Sequence, residues 1–362
     1  MERPTPCLVI DEAIMLANLQ KMAAHCHSYG CALRPHVKTH KSVELAKMQL
    51  ACGASGITVA KIREAEIMAD AGITDIFMAY PIVGVEKIRR AAVLAKKIRL
   101  ILSVDSLPAA KALSLAAEEL GACFEVRLEL DTGMGRSGAY PADALSLAKE
   151  ISGLPKLRLT GITTYRNMIY QGKPDADRTR CGLEEGALMV SLAEELRRVG
   201  LDIRDVSAGS TATAESCATV PGVTEVRPGT YIFYDKMQQA KEACDETMLA
   251  AWVEATVISV KGDLVVIDAG NKSISADCQP DGAVYPGFGE ILGHPELRLL
   301  HMTEEHGMIH SAVPTDGRIR IGDRLRIVPN HICTTVNLYD HAYLQGKSET
   351  RLLKIDARGA NT

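Results

Sequence analysis

From residue 30 to about residue 235, short apolar runs alternate with segments whose apolar positions recur at helical spacing. The runs cover 32–39, 56–60, 75–80, 99–105, 124–131, 158–166, 203–209 and 225–233, and helical periodicity fills stretches such as 43–51, 62–71 and 183–199. Eight strand–helix units, with strands that read as near-continuous apolar runs, predict an α/β fold, a parallel (β/α)8 barrel of the TIM type. An open doubly wound sheet is the competing architecture, and it rarely repeats the unit so often. Beyond about residue 250 the texture changes. Runs at 253–259, 264–268, 308–311, 324–328 and 343–344 read as strands, separated by Gly, Asp and Pro turns without helical stretches between them. These predict a compact C-terminal β domain, with a linker inside 238–250 and the opening 5–10 able to add a strand to it. The predicted division is a barrel over 11–240 and a β domain made of 1–10 plus 241–362.

Composition narrows the function classes. A net charge of −4 gives no sign of binding to nucleic acid or anionic membranes. No apolar run approaches bilayer-spanning length, and the opening Met1-Glu2-Arg3-Pro4-Thr5-Pro6 lacks a basic start followed by an apolar stretch. Ten cysteines at irregular spacing in a chain of 362 residues read as reduced thiols, so the expected location is the cytoplasm.

Four motifs carry candidate chemistry. The first is Arg34-Pro35-His36-Val37-Lys38-Thr39-His40-Lys41, at the end of the first predicted strand. Barrel enzymes place reacting groups at the C-terminal ends of their strands, and a partly desolvated lysine among other cations can form an imine with an aldehyde. A solvated Lys/His loop is the alternative reading of this octapeptide. The second is Asp131-Thr132-Gly133-Met134-Gly135-Arg136-Ser137-Gly138, whose glycines permit tight turns while Arg136 offers a planar fork of donors. A plain Gly-rich turn has the same composition. Third, Ser207-Ala208-Gly209-Ser210-Thr211 follows the seventh predicted strand, and Arg227-Pro228-Gly229-Thr230-Tyr231 lies in the eighth. Loops at those two places often bind phosphate through backbone N–H groups and hydroxyls. Last, Asn330-His331-Ile332-Cys333 lies in the β domain. If it is a strand, His331 and Cys333 share a face and can grip one metal ion, a thiolate–imidazole pair favouring zinc. A structural role is the alternative for a lone His-x-Cys. His306 and the Asp268-Ala269-Gly270 turn are further residues that could border the site.

Together these motifs resemble the D-threonine aldolase and D-serine dehydratase family, within the alanine-racemase-like fold of pyridoxal-phosphate (PLP) enzymes. The resemblance runs from Pro4-Thr5-Pro6 to Ala357-Arg358-Gly359, and Arg34-Pro35-His36-x-Lys38-x-His40-Lys41 is its most specific element. It implies that Lys38 is the Schiff-base lysine and that Arg136 lies beside the cofactor. It further implies cofactor contacts from His36, Tyr165, Ser207, Gly209, Ser210, Thr211, Gly229, Thr230 and Tyr231. Lys38, Arg136 and Tyr165 are the residues expected to act in catalysis, and His331 with Cys333 to bind a divalent metal, Zn2+ or Mn2+. The implied assembly is a homodimer in which the β domain lines the partner's active site, and the implied substrate is a small amino acid.

Two departures shape the expected reaction. Family aldolases carry Tyr-His-Gly at the end of strand six, where this chain reads Thr164-Tyr165-Arg166-Asn167-Met168. The aldolases also tend to carry His-x-Asp, whereas His-x-Cys resembles the dehydratases. The expected activity is therefore that of a lyase on β-hydroxy-D-amino acids, β-elimination giving a 2-oxo acid and ammonia, with Lys38 removing the Cα proton. Aldol cleavage to glycine and an aldehyde is the second reading. A racemase needs a second base, which the sequence does not identify, and PLP-carrying proteins without turnover generally lack so large a β domain.

Overall fold

The computed structural model describes residues 3–170, 173–278, 286–315 and 317–362, so the first two residues of the predicted segment 1–10 lie outside it. The chain packs as two compact units. One comprises Gln20–Lys38, Leu45–Gly229 and Ala360–Thr362, the other Met1–Leu19, Thr39–Glu44 and Thr230–Gly359.

In the first unit eight parallel strands follow one another in a ring: Ala32–Leu33, Ile57–Val59, Asp75–Met78, Arg99–Val104, Phe124–Leu130, Leu157–Thr164, Asp205–Ala208 and Glu225–Val226. The last returns to the first through Glu225–Ala32 and Val226–Leu33. First and second strands meet at a bridge between His36 and Thr58, with the Thr58 N–H donating to the Pro35 carbonyl at 2.8 Å. Helices such as Ile62–Asp70, Val85–Ala95, Leu107–Leu120 and Arg178–Arg198 connect the strands. The predicted alanine-racemase-like barrel is therefore present.

Its interior differs from the near-continuous apolar runs read from the sequence. On Phe124–Leu130 every residue is buried, yet Phe124, Val126, Leu128 and Leu130 alternate with Glu125, Arg127 and Glu129. A strand with both faces covered tolerates this only if the charges find partners. Arg127 does: it donates to Glu225 at 2.6 Å, and its guanidinium carbon lies 4.8 Å from the Phe77 ring centroid. Glu225 also accepts from Arg34 Nε and from the Ser207 hydroxyl, each at 2.6 Å. Burial opposes ionisation of Glu225, but the charges of Arg127 and Arg34 outweigh it and hold the carboxyl far below its usual range.

The eighth strand is shorter than the run 225–233. It ends at Val226, and Thr230–Ile232 forms a 3-10 turn instead. Pro228 supplies no N–H for a ladder, which explains why an apolar run stops pairing there.

The second unit holds a mixed sheet of nine strands. Its centre is the long strand Ala251–Lys261, which pairs antiparallel with Cys7–Asp11, Leu264–Ile267 and Arg324–Pro329. Cys7–Asp11, the strand expected from the opening segment, also runs parallel to His341–Gln345. Leu297–Met302, Gly289–Ile291 and Thr350–Lys354 complete the sheet beside Gly307–Ser311, and these three were not read from the sequence. Val253, Val257, Val265, Ile267, Ile309 and Ile327 form the heart of its apolar core.

Candidate active site

The first barrel strand stops at Leu33, and Val37–Thr39 makes a single 3-10 turn that carries Lys38 beyond the strand's C-terminal end. His36 fixes this turn. Its backbone bridges Thr58, its N–H donates to the Pro228 carbonyl at 3.0 Å, and its ring Nδ1 accepts the Lys38 N–H at 3.4 Å. The half-buried Lys38 places Nζ 5.5 Å from the Tyr165 ring centroid, and the Arg136 guanidinium carbon lies 4.9 Å from the same ring. Both separations fall within cation–π range. Three predicted residues from the ends of strands one, five and six thus meet, two of them beside the ring of the third.

Arg136 owes its place to the glycine loop. The Asp131 carboxylate accepts the N–H groups of Gly133 at 2.9 Å and Gly135 at 3.0 Å, folding the loop back on the strand end. Gly138 is required: at φ +109° a Cβ there would stand 2.5 Å from the Asp131 nitrogen.

The loops after strands seven and eight are also joined. The Gly229 N–H donates to Thr211 Oγ1 at 3.1 Å, and the Ser210 N–H donates to Thr213 Oγ1 at 2.9 Å. Gly209 adopts φ +81°, and a Cβ there would press on Val226 and Ala214 at 3.1 and 3.2 Å. Beneath the loop lies Glu185, a residue the sequence reading missed. It accepts from the Gly209 N–H at 3.3 Å and the Thr213 hydroxyl at 3.1 Å. Burial pushes its carboxyl above the usual range. It sits in mid-helix on Arg178–Arg198, where no local signal marks it.

Ser207 does not join this loop. Its hydroxyl is engaged inside the barrel, donating to Glu225 and accepting from Arg227 at 2.5 Å. Arg227 is itself buried and donates to the Thr164 carbonyl at 2.6 Å, tying strand eight to strand six. Thr230 and Tyr231 belong to the 3-10 turn Thr230–Ile232, both buried. Arg166 is buried against Glu184 at 3.2 Å.

In the β unit, His331 and Cys333 are not on a strand. His331 is the N-cap of a short helix, Ile332–Val336, in extended backbone. The cause is Asp235, whose buried carboxylate accepts the Ile332 N–H at 3.0 Å and the Gln238 N–H at 2.8 Å. Cys333 Sγ lies 3.1 Å from Thr39 Oγ1 and 3.5 Å from Thr230 Oγ1, while His331 Nδ1 lies 2.6 Å from Asp277 Oδ2. Burial disfavours charge on His331, but its hydrogen bond and charge interaction with Cys333 prevail and push it up to about 9. Burial likewise opposes the Cys333 thiolate, and the same contact with His331 brings its pKa down. Each partner thus favours the charged form of the other. Among the described residues no group of three or more His, Cys, Asp or Glu is arranged to hold a metal ion, so this is a set of two protein donors. Asp268, by contrast, accepts from Thr5 and from the Thr256 N–H at 2.6 and 2.7 Å, and exposed His306 closes a turn with Thr303.

Known proteins match both parts of the chain. The alanine racemase N-terminal domain family covers residues 10–237, and the putative serine dehydratase domain covers 250–345. The chain is 36% identical to D-threo-3-hydroxyaspartate dehydratase of Delftia sp. strain HT23, over 91% of each protein. It is 34% identical to D-threonine aldolase of Arthrobacter sp., over 93% of this chain and 87% of that one. The solved structure of the Delftia dehydratase aligns with TM-score 0.90 at 33% identity, over 97% of each chain. Further structures of that enzyme carry a histidine-to-alanine or a cysteine-to-alanine change two positions apart, the latter in the metal-free form. The resemblance read from the motifs is borne out: the chain belongs to the alanine racemase N-terminal domain family, with a serine dehydratase domain following the barrel.

Proposed function

We propose that this protein is a PLP- and divalent-metal-dependent lyase that removes water from β-hydroxy-D-amino acids, giving a 2-oxo acid and ammonia. The observation that favours elimination over aldol cleavage is Arg166. Where the resemblance puts the aldolases' histidine, this chain has a guanidinium buried against Glu184, a group that stays charged and accepts no proton.

The barrel residues fit the cofactor. A half-buried amine, an aromatic face and a glycine-opened loop bearing the Ser210 and Thr211 hydroxyls stand at the C-terminal ends of its strands. When bound, PLP supplies an aldehyde for amine capture and a ring that draws electrons from Cα. Lys38 Nζ anchors it and takes the Cα proton. The Tyr165 ring and Arg136 orient it, Gly209, Ser210, Thr211 and Gly229 hold its phosphate, and His36 fixes the turn bearing Lys38. Thr230 and Tyr231, which follow Gly229 in the chain, and Ser207, whose hydroxyl is engaged by Glu225 and Arg227, complete the proposed contacts. His331 and Cys333 would hold the metal, Zn2+ or Mn2+, as a Lewis acid for the β-hydroxyl, and thiolate with imidazole suits zinc. The relative whose cysteine variant is metal-free has a histidine and a cysteine at this same spacing.

The assignment is tested by product. With PLP and Zn2+ or Mn2+, D-serine, D-threonine or D-threo-3-hydroxyaspartate should yield keto acid and ammonia. Glycine with an aldehyde and no keto acid would show aldol cleavage, and neither product would reject a lyase. Lys38→Ala should abolish the visible absorbance of lysine-linked cofactor; its survival would remove Lys38 from this role.

The functional division proposed is 11–240 for the cofactor and 1–10 with 241–362 for the metal motif. A homodimer completes the proposal, and a monomeric mass by light scattering would reject it. No helix among the described residues is long and apolar enough to cross a membrane. All ten cysteines are free thiols, which supports the cytoplasm as the location.

A further inference from the structure

Asp277 lies 54 residues before His331 in the chain, yet the two side chains meet at 2.6 Å. An isolated pair at this degree of exposure, 35% and 44%, would contribute little. This one is built into its surroundings. The Asp277 N–H donates to Ser275 Oγ, and its carbonyl accepts from Asn330 Nδ2, both at 3.1 Å. Asn330 is fully buried and immediately precedes His331, and its Nδ2 also donates to the Gly287 carbonyl at 2.8 Å. The Asp277 carboxylate takes a second hydrogen bond from the Thr334 hydroxyl at 3.0 Å, and Thr334 in turn reaches Ser275 Oγ at 2.7 Å. Backbone and side chain of Asp277 are thus held by the same short segment that carries the His-x-Cys pair.

A carboxylate accepts and does not donate, so the hydrogen between these atoms belongs to His331 Nδ1. In the neutral imidazole that a metal requires, this fixes the tautomer and the ring plane and leaves Nε2 as the nitrogen to coordinate. Histidines that bind metals generally donate their other N–H to a carboxylate or carbonyl in this way. From this arrangement we infer that Asp277 is the positioning residue of the metal pair, aiming His331 Nε2 while Asp235 fixes the backbone between His331 and Cys333. The inference rests on the proposed metal role of His331 and Cys333, and it adds a residue that no sequence motif marks.

The test uses the full-length protein, freed of metal and titrated with Zn2+ by calorimetry and with Co2+ by its thiolate charge-transfer absorbance. Asp277→Ala should weaken Zn2+ binding about 10–100-fold, while the cobalt–thiolate band still forms at saturating Co2+ because Cys333 is untouched. Asp277→Asn keeps an acceptor for Nδ1–H and should recover most of the loss. Thr334→Val removes the other hydrogen bond to Asp277 but not the histidine contact, and should weaken binding less than Asp277→Ala. If Asp277→Ala melts at the temperature of the unaltered protein and binds Zn2+ equally well, the positioning role is overturned and the metal assignment survives. If the unaltered protein binds neither ion, or binds both equally after Cys333→Ala, the metal assignment itself falls and takes the inference with it.

Discussion

Inside the barrel, Glu225 sits among Arg34, Arg127 and Ser207, each within hydrogen-bonding distance. In the β unit the corresponding volume is filled by Val253, Val265, Ile309, Ile327 and their apolar neighbours. Both interiors are closed to water, but they specify different things. An apolar core contributes stability in proportion to area and tolerates small changes of shape. A buried ion network contributes little net stability, since desolvation offsets most of its attraction, but it admits few geometries. Here the network links residues from strands one, five, seven and eight, and Arg227 extends it to strand six. Those strand ends bear Lys38, Arg136, Tyr165 and the Ser210 loop. The contrast assigns geometric definition of the site to the barrel's charges and bulk stability to the β unit's aliphatic packing.

The largest effect should follow from removing the shared anion. Glu225→Ala leaves Arg34 and Arg127 buried without their main counter-charge and should cost about 3–5 kcal/mol, read from urea unfolding of the full chain. A loss under about 1 kcal/mol, the size of an ordinary substitution, would break the comparison. Ile327→Val in the β unit deletes one methylene and should cost about 0.5–1.5 kcal/mol by the same measurement, with no change in PLP affinity. A smaller effect sharpens the contrast within the barrel, where two buried glutamates titrate in opposite directions. Glu225 ionises well below its unfolded value of about 4.3, so its contribution is present above that pH and fades as pH falls. Glu185 is shifted upward by burial, so its contribution is full below about pH 4.3 and is lost as pH rises through its folded value. Urea midpoints measured against pH should therefore show the Glu225→Gln penalty shrinking in acid, and Glu185→Gln gaining on the unaltered protein as pH rises. Parallel curves for the two variants would contradict these assignments.

The alternation of apolar runs with helical spacing made the eight barrel units legible, because each strand and helix is a local pattern. Lys38 was legible for a related reason: its neighbours in sequence are its neighbours in the turn that presents it. The His331–Cys333 pair was found by composition but placed on a strand, because nothing nearby reveals that Asp235, almost a hundred residues earlier, caps Ile332. Glu185, Asp277 and the Glu225 network were invisible for the same cause. Each acts on a partner brought close only by the closed fold. The polar inner face of Phe124–Leu130 was in plain view as Glu125, Arg127 and Glu129, yet overall hydrophobicity concealed the alternation.

The strand Cys7–Asp11 sits in the interior of the β unit's sheet, between Ala251–Lys261 and His341–Gln345. During translation it leaves the ribosome long before either neighbour exists. Until they arrive its Leu8, Val9 and Ile10 must be shielded by something other than their final partners. Assembly of that sheet thus waits for both neighbours, and until then the apolar segment depends on whatever else can cover it.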